Sequence, residues 1–156
     1  MRGAWTDVAV ITGGQTGVDR AALDIALALG IPAGGWCPKG RRAEDGPLPA
    51  RYPLRETPLP DYAQRTRWNV RDSDGTLVLT LDPPQGGTAL TVREARRLGK
   101  PVLVVDLART PPATDVQDWT KSHHIRTLNI AGPRVSEAPD VYEKARAYLE
   151  SLYSEK

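Results

Sequence analysis

The residues best placed to do chemistry in this chain are glycines, hydroxyls, amides and cations. Gly13, Gly14, Gln15, Thr16, Gly17 and Asp19 lie between the apolar run 8–11 and the alanine-rich segment 21–29. Strand, glycine loop, helix is the order that aims backbone N–H groups and a helix N-terminus at an anion. Glycines without Cβ atoms let a phosphate approach the backbone closely, and Thr16 adds a hydroxyl donor. A second group, Gly86, Gly87, Thr88 and Thr91, opens another helix, with both hydroxyls and the free N–H groups able to face one anion. A third, Asn129, Gly132, Arg134 and Ser136, follows an apolar strand, and the Arg134 guanidinium has the planar fork that suits phosphate or carboxylate. A basic loop carrying Lys39, Arg41 and Arg42 leads directly off another strand end, where it could close over an anionic ligand.

Each group has a plainer reading beside the functional one. The first loop can be a tight strand-to-helix turn whose glycines only relieve sterics. Ser136 can cap the last helix, Arg134 can hold a surface ion pair, and Lys39, Arg41 and Arg42 can pair with Glu44 and Asp45. The first loop is not a dinucleotide fingerprint, because the spacing is G-G-x-x-G and no acidic residue stands about 20 positions on. Nor is it a P-loop, since no Gly-Lys-Ser/Thr follows. Asn69 and Asp72 share a short predicted helix, which turns a polar side chain toward the crevice. His123 and His124 stand apart from any cysteine or acidic residue at metal-ligand spacing, so no metal site is expected there. Cys37, the one cysteine, reads as a small buried hydrophobe and excludes an internal disulfide.

The 156 residues carry 21 Lys+Arg against 19 Asp+Glu, a net charge of +2 too mild to argue for nucleic acid. With no basic-then-apolar leader pattern and no apolar run of membrane-spanning length, the expectation is a soluble cytoplasmic protein without a membrane partner.

Positioning such loops takes alternating strands and helices. Strands are expected at 7–12, 31–36, 74–81, 101–106 and 127–131. Helices are expected at 18–29, closed by Gly30, then at about 62–71 after Asp61, 89–98, 115–123 and 139–152. Arg20 and Asp24 are spaced to pair along the first helix. The Gly34–Gly35 pair suggests close approach of something to the backbone. Residues 37–60 show no period and read as a lid, a binding loop or an oligomer contact. Strands apolar throughout, alternating with helices, predict an α/β fold: one domain over 1–156, Rossmann-like, with a mostly parallel sheet of about five strands covered on both faces. In such a sheet ligands sit beyond the carboxyl ends of the strands, where the three glycine-bearing loops would converge.

Five blocks in order, 13–20, 35–46, 67–74, 86–88 and 129–134, resemble the family named "putative molybdenum carrier". That family is related to molybdenum-cofactor carriers and is also described as a circularly permuted branch of the lysine-decarboxylase-like (LOG-like) Rossmannoid superfamily. The resemblance spans nearly the whole chain. It implies a Rossmann-like fold, homo-oligomers, and a pocket for a phosphorylated ligand: molybdenum cofactor (molybdopterin) by the family's name, otherwise a nucleotide-like phosphate. Molybdoenzymes would then be the recipients of the cofactor. The superfamily also holds phosphoribohydrolases whose signature resembles P-G-G-x-G-T-x-x-E, with the glutamate catalytic. In 86–94 the glutamate, Glu94, comes one residue late, which turns it by about 100° around a helix.

Two functions compete on these residues. The leading one is a binding or carrier protein for an anionic phosphorylated cofactor, which needs no catalytic pair. The other is hydrolysis of the N-glycosidic bond of a nucleoside 5'-monophosphate, with Glu94 or Asp19 as acid/base; a buried carboxylate beside the phosphate loops would favour it. A nucleotide-metabolite sensor is a third possibility.

Overall fold

The apolar β-branched runs form the strands, and all strand pairs are parallel. The computed structural model describes residues 4–154. Five strands make the main sheet: β1 (Ala9–Ile11), β2 (Ala33–Gly34), β5 (Gly75–Thr80), β6 (Val102–Asp106) and β7 (Thr127–Ala131). Their spatial order is β2-β1-β7-β5-β6. Strand β5 is buried at every position, as expected of a strand covered on both faces.

Side-chain alternation sorts the sheet into two faces. Leu77, Leu79, Leu128 and Ile130 join the core built on α1 (Val18–Leu29) and α5 (Val141–Tyr153), with Val116 of α4 (Ala113–Ser122). The intervening Thr76, Val78 and Asn129 point the other way. There α2 (Tyr62–Arg71) and α3 (Gly86–Arg97) pack against each other. That alternation turns Asn129 out of the main core, where its Nδ2 donates to Thr76 Oγ1 at 3.3 Å.

The predicted strand over 31–36 is split. Only β2 joins the main sheet. At Gly35, φ of +126° turns the chain away, and Trp36–Cys37 becomes β3, paired in parallel with β4 (Arg55–Glu56). The partner approaching the glycine pair is the chain itself: a Cβ on Gly35 would collide with the Thr12 backbone. Residues 37–60 are accordingly a packed flap with its own small core, in which Cys37, Leu48, Tyr52 and Leu54 gather on Leu23 of α1. The Arg41 guanidinium holds this flap from inside, donating to the carbonyls of Leu48, Pro49, Tyr52 and Leu54.

Several local contacts differ from the spacing-based expectation. Arg20 pairs with Asp45 of the flap at 3.0 Å rather than with Asp24. Asp24 instead accepts the Tyr52 hydroxyl at 2.6 Å and the Tyr142 hydroxyl. Helix α3 starts at Gly86, three residues before the expected Ala89, because a glycine at φ +51° can make the entry turn. Helix α5 starts after Asp140, so Ser136 does not cap it.

Candidate anion-binding site

The loops after β1 and β7, together with α2 and α3, enclose a cavity of about 150 Å³. Its floor is an ion pair. Asp19, in the first turn of α1, is buried and accepts the Gln15 N–H at 3.2 Å. Arg65 of α2 lies with Nη1 at 3.7 Å from Asp19 Oδ2 and donates from Nη1 to the Gly13 carbonyl at 2.9 Å. Burial pushes the Asp19 carboxyl above its ordinary range, against the opposing pull of Arg65. Nε of Arg65 donates to the Tyr62 carbonyl at 3.3 Å. Nη2 makes no hydrogen bond among the described residues and is not itself sealed from solvent, the side chain being 9% exposed and lining the cavity. A buried guanidinium with one unspent fork arm is a site for an acceptor, most strongly an anionic one.

One wall is the start of α3. Gln85 precedes it without a side-chain cap, and the N–H groups of Gly86 and Gly87 meet no acceptor among the described residues. Both glycines line the cavity, and a Cβ on Gly87 would meet nothing within 4 Å. Two free donors at the positive end of a 12-residue helix add to the field of Arg65. Thr88 lines the same wall, as does Thr91, whose hydroxyl donates back to the Gly87 carbonyl at 2.9 Å.

Arg134 stands at the rim, its side chain 38% exposed. Its Nε lies 3.7 Å from Glu44 and 3.9 Å from Glu137, and its guanidinium is 6.0 Å from the centre of the Tyr62 ring. These are loose ion pairs, beyond hydrogen-bonding distance. Arg42 and Arg65 also approach the Tyr62 ring, each to 5.1 Å, so three guanidiniums surround one rim aromatic.

Of the residues singled out in the sequence, Gly13, Gln15, Asp19, Asn69, Gly86, Gly87, Thr88, Thr91, Asn129, Gly132 and Arg134 line this cavity. The amide of Asn69 is spent on the Trp36 backbone, accepting from its N–H at 2.8 Å and donating to its carbonyl at 3.0 Å. The others lie elsewhere. Gly14 faces Leu48 and Leu54 of the flap, and Gly17 lies against the Pro133 carbonyl, so both serve close packing. Thr16 donates to Glu44, as does the Ser136 N–H at 3.1 Å. Arg41 is consumed by flap carbonyls, Arg42 reaches the rim only through Tyr62, and Lys39 is exposed. Glu94 lies outside the cavity lining and pairs with Arg97 at 2.6 Å, which holds its carboxyl below the ordinary range. Sequence reading missed Tyr62, Arg65, Thr66 and Glu137. The spacing of 62, 65, 66 and 69 puts the first three on one helical face with Asn69, and that face was the available signal.

The profile of the circularly permutated YpsA SLOG family matches residues 10–153. A putative molybdenum carrier protein from Syntrophus aciditrophicus SB, whose crystal structure was determined at 1.45 Å, is 47% identical. Its structure superposes with a TM-score of 0.92, the match covering 99% of this chain and 98% of that one. No protein of curated function matches. Residues 13–20, 35–46, 67–74, 86–88 and 129–134, on which the resemblance rests, fall inside the matched span, and the chain belongs to the circularly permutated YpsA SLOG family.

Proposed function

We propose that this protein binds and carries a small anionic ligand, held by its phosphate in the cavity between Arg65 and the start of α3. The observation that carries the reading is the convergence of unspent donors: the Nη2 arm of buried Arg65 and the N–H groups of Gly86 and Gly87. Arg134 supplies a further guanidinium at the rim. The 47%-identical relative is described as a molybdenum carrier, which makes molybdenum cofactor the first cargo to test. The donor chemistry fits its phosphate end. Gly87 leaves the space a Cβ would take, and the buried Asp19 carboxylate offers an acceptor for ring N–H groups. Work in the cytoplasm as a homo-oligomer that hands cargo to molybdoenzymes belongs to the same reading.

One observation favours a second function. Asp19 is the buried carboxylate beside the glycine loops that hydrolysis of a nucleoside 5'-monophosphate would need, and burial raises its proton affinity as befits a general acid. Glu94, turned to Arg97, does not compete for that role.

One experiment separates the two. The protein is incubated with a nucleoside monophosphate panel, and free base is measured by chromatography beside ligand binding by calorimetry. The carrier reading expects binding without base release. Base release that Asp19→Asn abolishes, while phosphate still binds, would replace it with the hydrolase.

A further inference from the structure

Thr16, Arg134 and Ser136 form a complete anion hole, and its occupant is the protein's own carboxylate. Glu44 of the flap accepts the Thr16 hydroxyl and the Ser136 N–H on Oε2, while Oε1 faces Arg134 at 3.7 Å. The flap is held in place to deliver it by Gln15, whose Oε1 accepts the Glu44 N–H at 2.8 Å. Glu137 approaches the same Nε of Arg134, at 3.9 Å. Arg134 therefore faces two carboxylates, a local charge of −1 from these three groups. Neither carboxylate hydrogen-bonds the Arg134 side chain, so an incoming anion need only outcompete two loose Coulombic contacts.

We propose that Glu44 is a specificity and release residue, a resident carboxylate that competes with the ligand's anionic group for Arg134. Resting on the anion-binding reading of the cavity, the inference adds why capture is reversible. The ligand phosphate gains Arg134 only by drawing it from Glu44, and Glu44 recovers it when the ligand leaves. A carrier must release as well as bind, and a built-in competitor caps affinity without removing a single donor from the site. The repulsion it exerts grows with ligand charge, so it weighs more on a dianion than on a monoanion.

The test uses inorganic phosphate (dianion) and dimethyl phosphate (monoanion) as probes in calorimetry on the full chain. Glu44→Gln keeps an acceptor for Thr16 and the Ser136 N–H and removes only the charge. It is expected to bind phosphate about tenfold more tightly than wild type, with a smaller gain for dimethyl phosphate and slower release. Asp45→Asn, on the same flap but paired with Arg20, is expected to leave both affinities unchanged. Phosphate affinity unchanged or weaker in Glu44→Gln, with wild type binding normally, overturns the inference and leaves the cavity reading intact, Glu44 then being only a fastener of the flap. Equal gains in Glu44→Gln and Asp45→Asn also overturn it, as a general charge effect. Absence of phosphate binding in wild type and Glu44→Gln alike would sink both readings.

Discussion

Arg65 carries the chemistry of the cavity because it is a largely buried cation with one fork arm that is open to solvent and makes no hydrogen bond among the described residues. Its Nη1 and Nε are spent on the carbonyls of Gly13 and Tyr62, and Nη2 is left for a ligand. Lysine at this position keeps the charge that balances Asp19 but has no second arm. Arg65→Lys is expected to fold, and to bind phosphate about tenfold more weakly in calorimetry. Wild-type affinity would show that the fork is not what holds the anion. Glu44 offers a pH test at the same scale. Burial raises its carboxyl, but hydrogen bonds from Ser136 and Thr16, with Arg134 beside it, outweigh burial and hold it below the ordinary value of 4.5. A carboxylate with a depressed folded pKa contributes stability above its unfolded pKa and loses it as pH falls through the folded one. The thermal stability gap between wild type and Glu44→Gln should therefore be full near neutrality and close below about pH 4.5. A gap independent of pH would mean the ionised carboxylate adds nothing to the fold. At this scale the sequence was partly legible. Residue type alone marked Arg134 and Thr16 as anion donors, but their nearest anion is Glu44. Nothing in the local sequence of 39–46 distinguishes an acid that joins the site from one that screens neighbouring arginines.

The elements were more readable than their ends. Apolar β-branched runs and an alanine-rich helix closed by Gly30 gave the alternation, since burial on two faces leaves no polar period to confuse it. The split at Gly35 and the packed flap were not readable. Both depend on contacts far along the chain, with Thr12, Leu23 and Asn69, that no local period encodes. Two substitutions test the element-level account. Gly87 has open space where a Cβ would point, so Gly87→Ala should leave thermal stability unchanged or raise it by up to about 1 kcal/mol. The same methyl group enters the cavity beside a free N–H, and phosphate affinity should fall by about tenfold or more. A variant that loses stability and keeps its affinity would contradict the assigned wall. In the flap, the Tyr52 hydroxyl donates to Asp24 at 2.6 Å and ties 37–60 to α1. Tyr52→Phe should cost about 1 to 2 kcal/mol in chemical denaturation and speed amide exchange in the flap before the sheet. Uniform exchange across flap and sheet would mean that the flap does not open separately.

At the scale of the whole molecule, the sheet order brings the loops after β1 and β7 side by side, and α2 and α3 cover the face to which Asn129 points. That arrangement turns three weak local signals into one cavity with a buried cation, free helix N–H groups and a rim arginine under internal competition. The family was legible from five short blocks, four of which, 13–20, 67–74, 86–88 and 129–134, contribute residues to the cavity. The most direct measurement is native mass spectrometry of the wild-type chain incubated with molybdenum cofactor, beside Arg65→Lys and Gly87→Ala. The account predicts a retained cofactor mass on the wild type that is markedly depleted in both variants, each remaining folded. Equal retention in all three would contradict it, because the cofactor would then be held away from the cavity that Arg65 and α3 define.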